Sequence, residues 1–117
     1  MKQWIVLLAL GLGMYQGWQA IGGDGLAPLH ERPYLVVYGR DSCAYTRRTR
    51  ESLSEAGIAF QYRRVDEQAV ADELHRRMRA SGMDTRRYAL PVVDLNNALS
   101  IRPDNAGLVE NARALSL

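Results

Sequence analysis

The sequence predicts an α/β fold, a three-layer α/β/α domain with a mixed sheet of about four strands in the order β-α-β-α-β-β-α. Short runs of β-branched and aromatic residues alternate with longer segments of helical period, and glycine or asparagine turns separate them. Near the end of the chain, two strand patterns follow each other directly. Two parallel strands joined by a helix, followed by a hairpin and a closing helix, account for this order.

Length and composition indicate one ordinary globular domain and exclude several classes of protein. The chain has 117 residues, 47% of them hydrophobic, with 15 Lys and Arg against 13 Asp and Glu. A net charge of +2 does not fit a strongly cationic nucleic-acid binder, so no nucleic-acid partner is expected. One Cys and two His cannot form an internal disulfide or a four-ligand zinc site by themselves, and no metal is expected.

Residues 1–23 predict a signal peptide or a membrane anchor. Lys2 precedes the apolar run 4–14, and smaller, more polar residues follow, which is the layout of an export signal. An uncleaved anchor over residues 4–22 and a buried or interface helix are the alternatives. Export or anchoring would place the domain outside the cytoplasm, in the periplasm of a bacterium. Turn-forming residues then predict a linker over 24–33, with the domain at 34–117.

The first half of this domain is predicted as a strand-helix-strand unit. Residues 34–38 form a continuous apolar run, typical of a strand buried on both faces, and residues 60–65 form a second strand. Gly57 is expected to end the intervening helix. One stripe of that helix should face the core. Its members are Tyr45, Thr49, Leu53 and Ala56.

The second helix is predicted from apolar residues that recur at four-residue spacing. These are Val70, Leu74 and Met78. Asp66 is the expected N-cap. His75, Arg76 and Arg77 lie off the apolar stripe, so we expect them to face solvent.

A hairpin and a final helix complete the predicted domain. Residues 92–95 and 99–102 form the two strands, and the pair Asn96 and Asn97 is typical of a two-residue hairpin turn. Asp104 or Asn105 then begins the last helix.

The single cysteine stands where a thiol would be activated. Cys43 follows the first strand and begins the first helix, where unsatisfied amides and the positive end of the helix dipole favour a thiolate. Arg40 adds a positive charge nearby. An inert, buried cysteine is the alternative, but this position favours a reactive nucleophile.

The segments around Cys43 and Pro91 resemble the glutaredoxin family of the thioredoxin-like superfamily. The segment VVYGRDSCAYT, and later ALPVVDLNNALSIRPDN, match the family pattern within a region spanning about 34–115. The family has CxxC or CxxS at its first helix, whereas this chain has Cys43-Ala44-Tyr45-Thr46. Thr46 thus replaces the resolving cysteine, and the chain resembles a monothiol CxxT variant.

The resemblance implies a glutathione-dependent thiol-disulfide oxidoreductase that acts on protein-glutathione mixed disulfides. Cys43 and Arg40 would be the catalytic residues, with glutathione as co-substrate and glutathionylated or disulfide-containing proteins as partners. A glutathione-binding surface is implied as well. Its residues would be Tyr45, Thr46, Arg86, Arg87, Leu90, Pro91, Asp104 and Asn105. Pro91 is expected in the cis form, and the family's usual Gly-Gly pair is replaced by Arg102 and Pro103.

Two other functions remain open. One is a catalytically degenerate thioredoxin-like module that binds a partner without turnover. The other, less favoured, is an iron-sulfur cluster carrier, because monothiol carriers have Gly, Phe and Ser where this chain has Ala44, Tyr45 and Thr46. A phosphatase-type anion loop is excluded, since Thr49 stands where such a loop would need an arginine.

Overall fold

The computed structural model of the chain describes residues 26–117. The predicted signal peptide or anchor, residues 1–23, lies outside the described residues. The strands are β1 (Leu35–Gly39), β2 (Gln61–Arg64), β3 (Val92–Leu95) and β4 (Ala98–Ile101), and the helices are α1 (Ala44–Glu55), α2 (Gln68–Ala80) and α3 (Asn105–Ala114). This order confirms the predicted β-α-β-α-β-β-α sequence of elements.

The four strands form one mixed sheet in the order β2-β1-β3-β4. Strands β1 and β2 are parallel, because α1 connects them as a crossover, whereas β3 is antiparallel to both β1 and β4. Asn96 and Asn97 have φ of 48° and 76°, the left-handed pair that a tight hairpin turn requires. The predicted hairpin is therefore confirmed, but its second strand ends at Ile101, and Arg102, predicted as the last strand residue, lies beyond it.

Alternation along β1 divides the core into two layers. Val36 and Tyr38 face α2, together with Val70, Leu74 and Met78 of that helix. Leu35 and Val37 face the other side, where Leu53 of α1 and Leu108 and Ala112 of α3 cover the sheet. Because both faces of the sheet are covered, β1 is buried along its whole length. The predicted three-layer α/β/α fold is confirmed.

Helix α1 departs from the predicted core stripe in its first turn. Tyr45 is 48% exposed, whereas Thr46, Thr49 and Leu53 are buried. The prediction for Tyr45 was wrong because the buried stripe begins one residue later, at Thr46, whose side chain lies against Gly39 at the end of β1. At the other end of α1, Gly57 has φ of 71° immediately after the C-cap, which confirms its predicted role.

The start of α2 also differs from the prediction. Glu67, not Asp66, occupies the N-cap position, and its side chain makes no capping hydrogen bond. Asp66 instead forms an ion pair with Arg40, with 3.3 Å between Oδ1 and Nε. The Asp66 carboxylate, predicted to cap α2, thus interacts with Arg40 of the loop between β1 and α1.

Arg77 was expected to face solvent, and the structure shows it buried at 5% exposure. Its guanidinium pairs with the buried carboxylate of Asp94 on β3 and donates hydrogen bonds to Tyr34 Oη, Asn97 Oδ1 and Ala27 O. The prediction was wrong because Arg77 lies at the edge of the apolar stripe, and its partners are distant in sequence.

The segment expected to be a linker contacts the domain over its described part. Asn97 Nδ2 donates to Leu26 O at 3.1 Å, and Leu29 N donates to Tyr34 Oη at 3.2 Å. His30 is exposed, and its ring packs edge-on to Tyr34 with centroids 5.2 Å apart. Within residues 26–117, no helix combines the length and the apolar character needed to cross a bilayer.

Candidate active site

The loop between β1 and α1 places Cys43 at the N-cap of the helix. Cys43 N donates to Arg40 O at 3.1 Å, closing a turn, and Arg47 N donates to Cys43 O at 3.1 Å, beginning the helical ladder. The thiol is partly exposed. The predicted start of this helix, near residues 42–44, is confirmed, and the sulfur lies at the end of the helix where amides lack intrahelical acceptors.

A second segment, far away in sequence, lies against the thiol. The Leu90–Pro91 peptide bond is cis, as predicted, and Leu90 O lies 3.9 Å from Cys43 Sγ. Antiparallel pairing of β1 with β3 holds these segments together, since Tyr38 faces Val92 across the sheet. The structure therefore brings together the two motifs that carried the resemblance.

The surroundings of Cys43 lower the pKa of its thiol. Burial raises that pKa, but this effect is outweighed by the Thr46 hydroxyl, by the amides of Thr46 and Tyr45, and by the positive charge of Arg102. The thiolate is the nucleophilic form of cysteine. These surroundings therefore favour the thiolate form of Cys43.

Thr46, in the position of the missing resolving cysteine, is fully buried one turn into α1. Its hydroxyl has no hydrogen-bond partner of ordinary geometry among the described residues, and its proximity to the sulfur lowers the pKa of the Cys43 thiol. Its side chain fills the space above Gly39, where any Cβ would overlap both Thr46 Oγ1 and Cγ2. Gly39 is therefore needed for Thr46 to reach the sulfur.

Arg102 is a residue of the candidate site that the sequence reasoning missed. It was noted only as a departure from the family's glycine pair. Its Nε donates to Leu90 O at 2.8 Å, and its guanidinium carbon lies 3.6 Å from the Tyr45 ring centroid. Its φ of 46° is left-handed, a backbone conformation usually left to glycine. An arginine at an expected glycine position was the signal available in the sequence.

The three arginines that were predicted as site residues are Arg40, Arg86 and Arg87, and none of them has a hydrogen bond to the Cys43 thiol within residues 26–117. Arg40, assigned to the thiolate, pairs with Asp66, and both side chains are more than half exposed. Arg86 is 90% exposed and pairs with Asp84 at 3.3 Å, while Arg87 is exposed without an ion pair in the part of the chain described. The roles of these residues toward glutathione stay predictions.

The start of α3, with Asp104 and Asn105, was predicted to form part of the glutathione-binding surface. Asp104 is the N-cap, and its carboxylate accepts a hydrogen bond from Gly107 N at 2.9 Å. Asn105 Oδ1 accepts from Thr49 Oγ1 at 2.7 Å, which joins α3 to α1. The predicted start of the helix is confirmed, and the Asn105 side chain is engaged within the domain.

A cluster around Asp41, two residues before Cys43, was not anticipated either. Tyr62 Oη donates to Asp41 Oδ1 at 2.8 Å, and Arg50 and Arg64 lie within ion-pair distance of the same carboxylate. Burial together with this carboxylate raises the pKa of Tyr62 to about 12. The cluster ties the active-site loop to β2 and α1.

Within residues 26–117, no group of three His, Cys, Asp or Glu residues could hold a metal ion.

Comparison with known proteins adds the decisive observation. The family model described as Glutaredoxin matches residues 35–99, more than half of the chain. The chain belongs to the glutaredoxin family. This glutaredoxin is similar to a solved glutaredoxin from Archaeoglobus fulgidus, with a TM-score of 0.53 and 22% identity; the match covers 74% of this chain and 95% of the other. That likeness supports the fold alone. A search of curated proteins finds no match.

Membership places this glutaredoxin among the thiol-disulfide oxidoreductases, a family that generally acts with glutathione and protein disulfides. The matched residues include Cys43, Leu90 and Pro91, so the thiol and the cis-proline segment both lie within the family region. Arg102 lies beyond the matched residues.

Proposed function

We propose that this glutaredoxin is a glutathione-dependent monothiol thiol-disulfide oxidoreductase that acts on protein-glutathione mixed disulfides through Cys43. The observation that carries the proposal is the position of Cys43, partly exposed at the start of α1, with a lowered pKa and 3.9 Å from the Leu90 carbonyl. Cys43 is the one cysteine of the chain, so no internal thiol can displace a mixed disulfide.

The proposed cycle has two exchange steps. In the first, the Cys43 thiolate attacks the glutathione sulfur of the mixed disulfide, forming a Cys43-glutathione disulfide, and the protein thiolate leaves and takes up a proton. In the second, a glutathione thiolate attacks the bound glutathione sulfur and releases oxidised glutathione, with Cys43 leaving as thiolate. Overall, the protein cysteine of the substrate is reduced to a thiol and the incoming glutathione thiol is oxidised, because the other sulfur of oxidised glutathione was already part of the mixed disulfide.

Glutathione would be held by groups around the thiol. The backbone of Leu90, beside Pro91, would pair with the tripeptide as a strand does, while Tyr45 and Thr46 would line the approach to the sulfur. Arg40, with Arg86 or Arg87, would meet the glycine carboxylate. The amides at Asp104 and Asn105 would receive the γ-glutamyl carboxylate, because a helix start attracts anions.

One observation favours a second function, a thioredoxin-like module that binds a partner without turnover. Arg102 Nε already donates to Leu90 O, and its guanidinium covers Tyr45. Strand pairing by glutathione must share that carbonyl's second lone pair or displace the arginine. If neither occurs, the thiol would be reachable while the tripeptide site stays closed.

The experiment that tests the proposal is intact mass spectrometry after incubation with oxidised glutathione, followed by turnover of a glutathionylated peptide. We expect one glutathione adduct on the wild-type chain, removed by added glutathione, and steady-state release of the peptide thiol. Cys43→Ser should show neither reaction, since no other thiol exists. A wild-type chain without adduct or turnover would contradict the proposal and favour the binding module.

We also propose that residues 1–23 export or anchor the chain, with the domain outside the cytoplasm. The charge at Lys2 and the apolar run that follows support this location. Fractionation of cells that express the full chain, with the mass of the mature protein, tests it. A full-length chain in the soluble cytoplasmic fraction would contradict it.

A further inference from the structure

Three arginines near the thiol lack an acidic partner among the described residues. They are Arg47, Arg48 and Arg102. Other arginines of the same region are compensated: Arg40 pairs with Asp66, and Arg50 and Arg64 pair with Asp41. The region of Cys43 therefore carries three positive charges that no acidic side chain of the described residues offsets.

Two of these arginines, Arg48 and Arg102, lie over one exposed aromatic ring. The guanidinium carbons of Arg48 and Arg102 lie 5.6 Å and 3.6 Å from the Tyr45 ring centroid. Arg47 follows Cys43 by one turn of α1, and its Nη1 donates to Asp41 O at 2.9 Å, across the active-site loop. We call the four residues Tyr45, Arg47, Arg48 and Arg102 the arginine-tyrosine patch.

Apolar exposure occurs in the same region. Tyr45 at 48% and Ile101 at 40% are the large hydrophobic residues exposed within residues 26–117, and Ile101 directly precedes Arg102. The terminal nitrogens of Arg102 make no hydrogen bond to the described residues, because only Nε is engaged. A surface with free guanidinium donors beside apolar side chains is complementary to carboxylates carried on a peptide.

We propose that the arginine-tyrosine patch docks an acidic segment of the protein substrate, and so selects disulfides that are flanked by Asp or Glu. The inference rests on the proposed function for the thiol chemistry and adds the class of protein substrate. Charge complementarity acts mainly on the rate of encounter and on the orientation of the partner. An acidic segment next to the target cysteine would bring its sulfur toward Cys43.

A single exchange step tests the inference without glutathione. Two peptides each carry one cysteine as a mixed disulfide with thionitrobenzoate, one with Asp and Glu around the cysteine and the other with Asn and Gln. The Cys43 thiolate attacks the peptide sulfur, a new disulfide joins protein and peptide, and thionitrobenzoate leaves as a coloured thiolate. The readout is the ratio of the two second-order rate constants, in which changes of Cys43 reactivity cancel.

We expect wild type to prefer the acidic peptide by about tenfold at low ionic strength and by less than about twofold near 0.5 M salt, because salt screens exposed charges. The double variant Arg47→Gln/Arg48→Gln should lose most of this preference. The control Arg76→Gln/Arg79→Gln removes the same charge from exposed positions of α2 and should retain it. Equal rates for both peptides with wild type, or an undiminished preference in the double variant, would overturn the inference.

The two proposals fail separately. A retained peptide preference with no glutathione adduct would overturn the proposed glutathione chemistry and leave the patch established. Normal deglutathionylation with no peptide preference would overturn the patch alone.

Discussion

At the scale of single residues, the ionisation of Cys43 depends on groups within one helical turn and on one distant cation. The Thr46 hydroxyl and the amides of Tyr45 and Thr46 belong to α1, whereas Arg102 comes from the loop before α3. Thr46 is buried beside the sulfur and has no other partner in residues 26–117. Its position, which a resolving cysteine would occupy in a dithiol relative, thus contributes to activation.

Replacing Thr46 by Val should make Cys43 less reactive below neutral pH. Valine keeps the shape but removes the donor, so the pKa of the thiol rises and less thiolate is present. Because only the thiolate reacts, the rate of alkylation by iodoacetamide rises with pH and levels off above the pKa of the thiol. For wild type, this plateau should begin at a lower pH than for an ordinary cysteine. On the acid side, Thr46→Val should slow alkylation by about three- to tenfold, because a hydrogen bond to a charged group contributes roughly 1 kcal/mol or more. Thr46→Ser, which keeps the hydroxyl, should alkylate at nearly the wild-type rate. An unchanged pH profile of alkylation in Thr46→Val would refute the effect of the Thr46 hydroxyl on the pKa of Cys43.

Arg102 and Arg40 can be distinguished by the same titration. Arg102→Gln should raise the pKa of Cys43, slowing alkylation on the acid side by about two- to fivefold, as expected for a partly solvated charge. Arg40→Gln should have a smaller effect, because Asp66 neutralises the Arg40 guanidinium. A larger effect at Arg40 than at Arg102 would restore the assignment that the sequence suggested.

At the scale of elements, the junction between β1 and α1 determines whether the thiol is presented correctly. Gly39 ends β1 under the Thr46 side chain, and Asp41 joins the loop to Tyr62 on β2. Contacts with β1 and β2 thus hold the first turn of α1 and the loop before it in place. This explains how Cys43 can be partly exposed and still rigidly placed.

Gly39→Ala should destabilise the domain by about 1–3 kcal/mol, the usual cost of overpacking, because its methyl group would overlap Thr46. Urea unfolding measures the loss, and Thr46→Ala in the same chain should recover part of it. Gly107→Ala is the matched control. Its Cβ would meet only Asp104 Oδ2 at 3.4 Å, and alanine favours the helix by roughly 0.5–1 kcal/mol. Equal stability of Gly39→Ala and wild type would contradict this packing.

At the scale of the whole molecule, the buried pair of Arg77 and Asp94 connects three separate parts. It joins α2 to β3, and through Ala27 it fixes the segment that precedes β1. These contacts lie near the start of β1, whereas Cys43 follows its other end. The segment leading to the N-terminus is thus attached at the end of the sheet away from the thiol.

Breaking this pair should be far more costly than removing an exposed arginine. Arg77→Met leaves the Asp94 carboxylate buried without its cation, so we expect a loss of about 3–5 kcal/mol in urea unfolding. The double variant Arg77→Met/Asp94→Leu should lose less, since neither charge remains buried. Arg76→Met, exposed on the neighbouring position, should stay within about 0.5 kcal/mol. A loss for Arg77→Met no greater than that of the control would show that the pair has little importance.

Features that depend on residues close together in the sequence were predicted correctly, whereas features that depend on distant residues were not. The strands, the helix that begins at Cys43, the Asn96-Asn97 turn and the Gly57 end depend on local patterns of burial, capping and backbone conformation, and all were confirmed. Tyr45 and Arg77 were misplaced because periodicity gives a direction around the helix axis but not what lies there. Asp66 was misplaced because a nearby arginine competed with the helix end.

The sequence by itself determined the order of the elements and the position of Cys43 at a helix start, because hydrophobic period, turn residues and capping positions are local signals. The cis form of Pro91 was predicted by the resemblance to glutaredoxins. Only the tertiary structure decided which cation acts on the thiolate. Arg102 reaches Cys43 because β3 pairs with β1 and β4 returns beside β3, so that residues distant in the chain meet at one end of the sheet. A single sequence does not encode such a pairing in any local pattern.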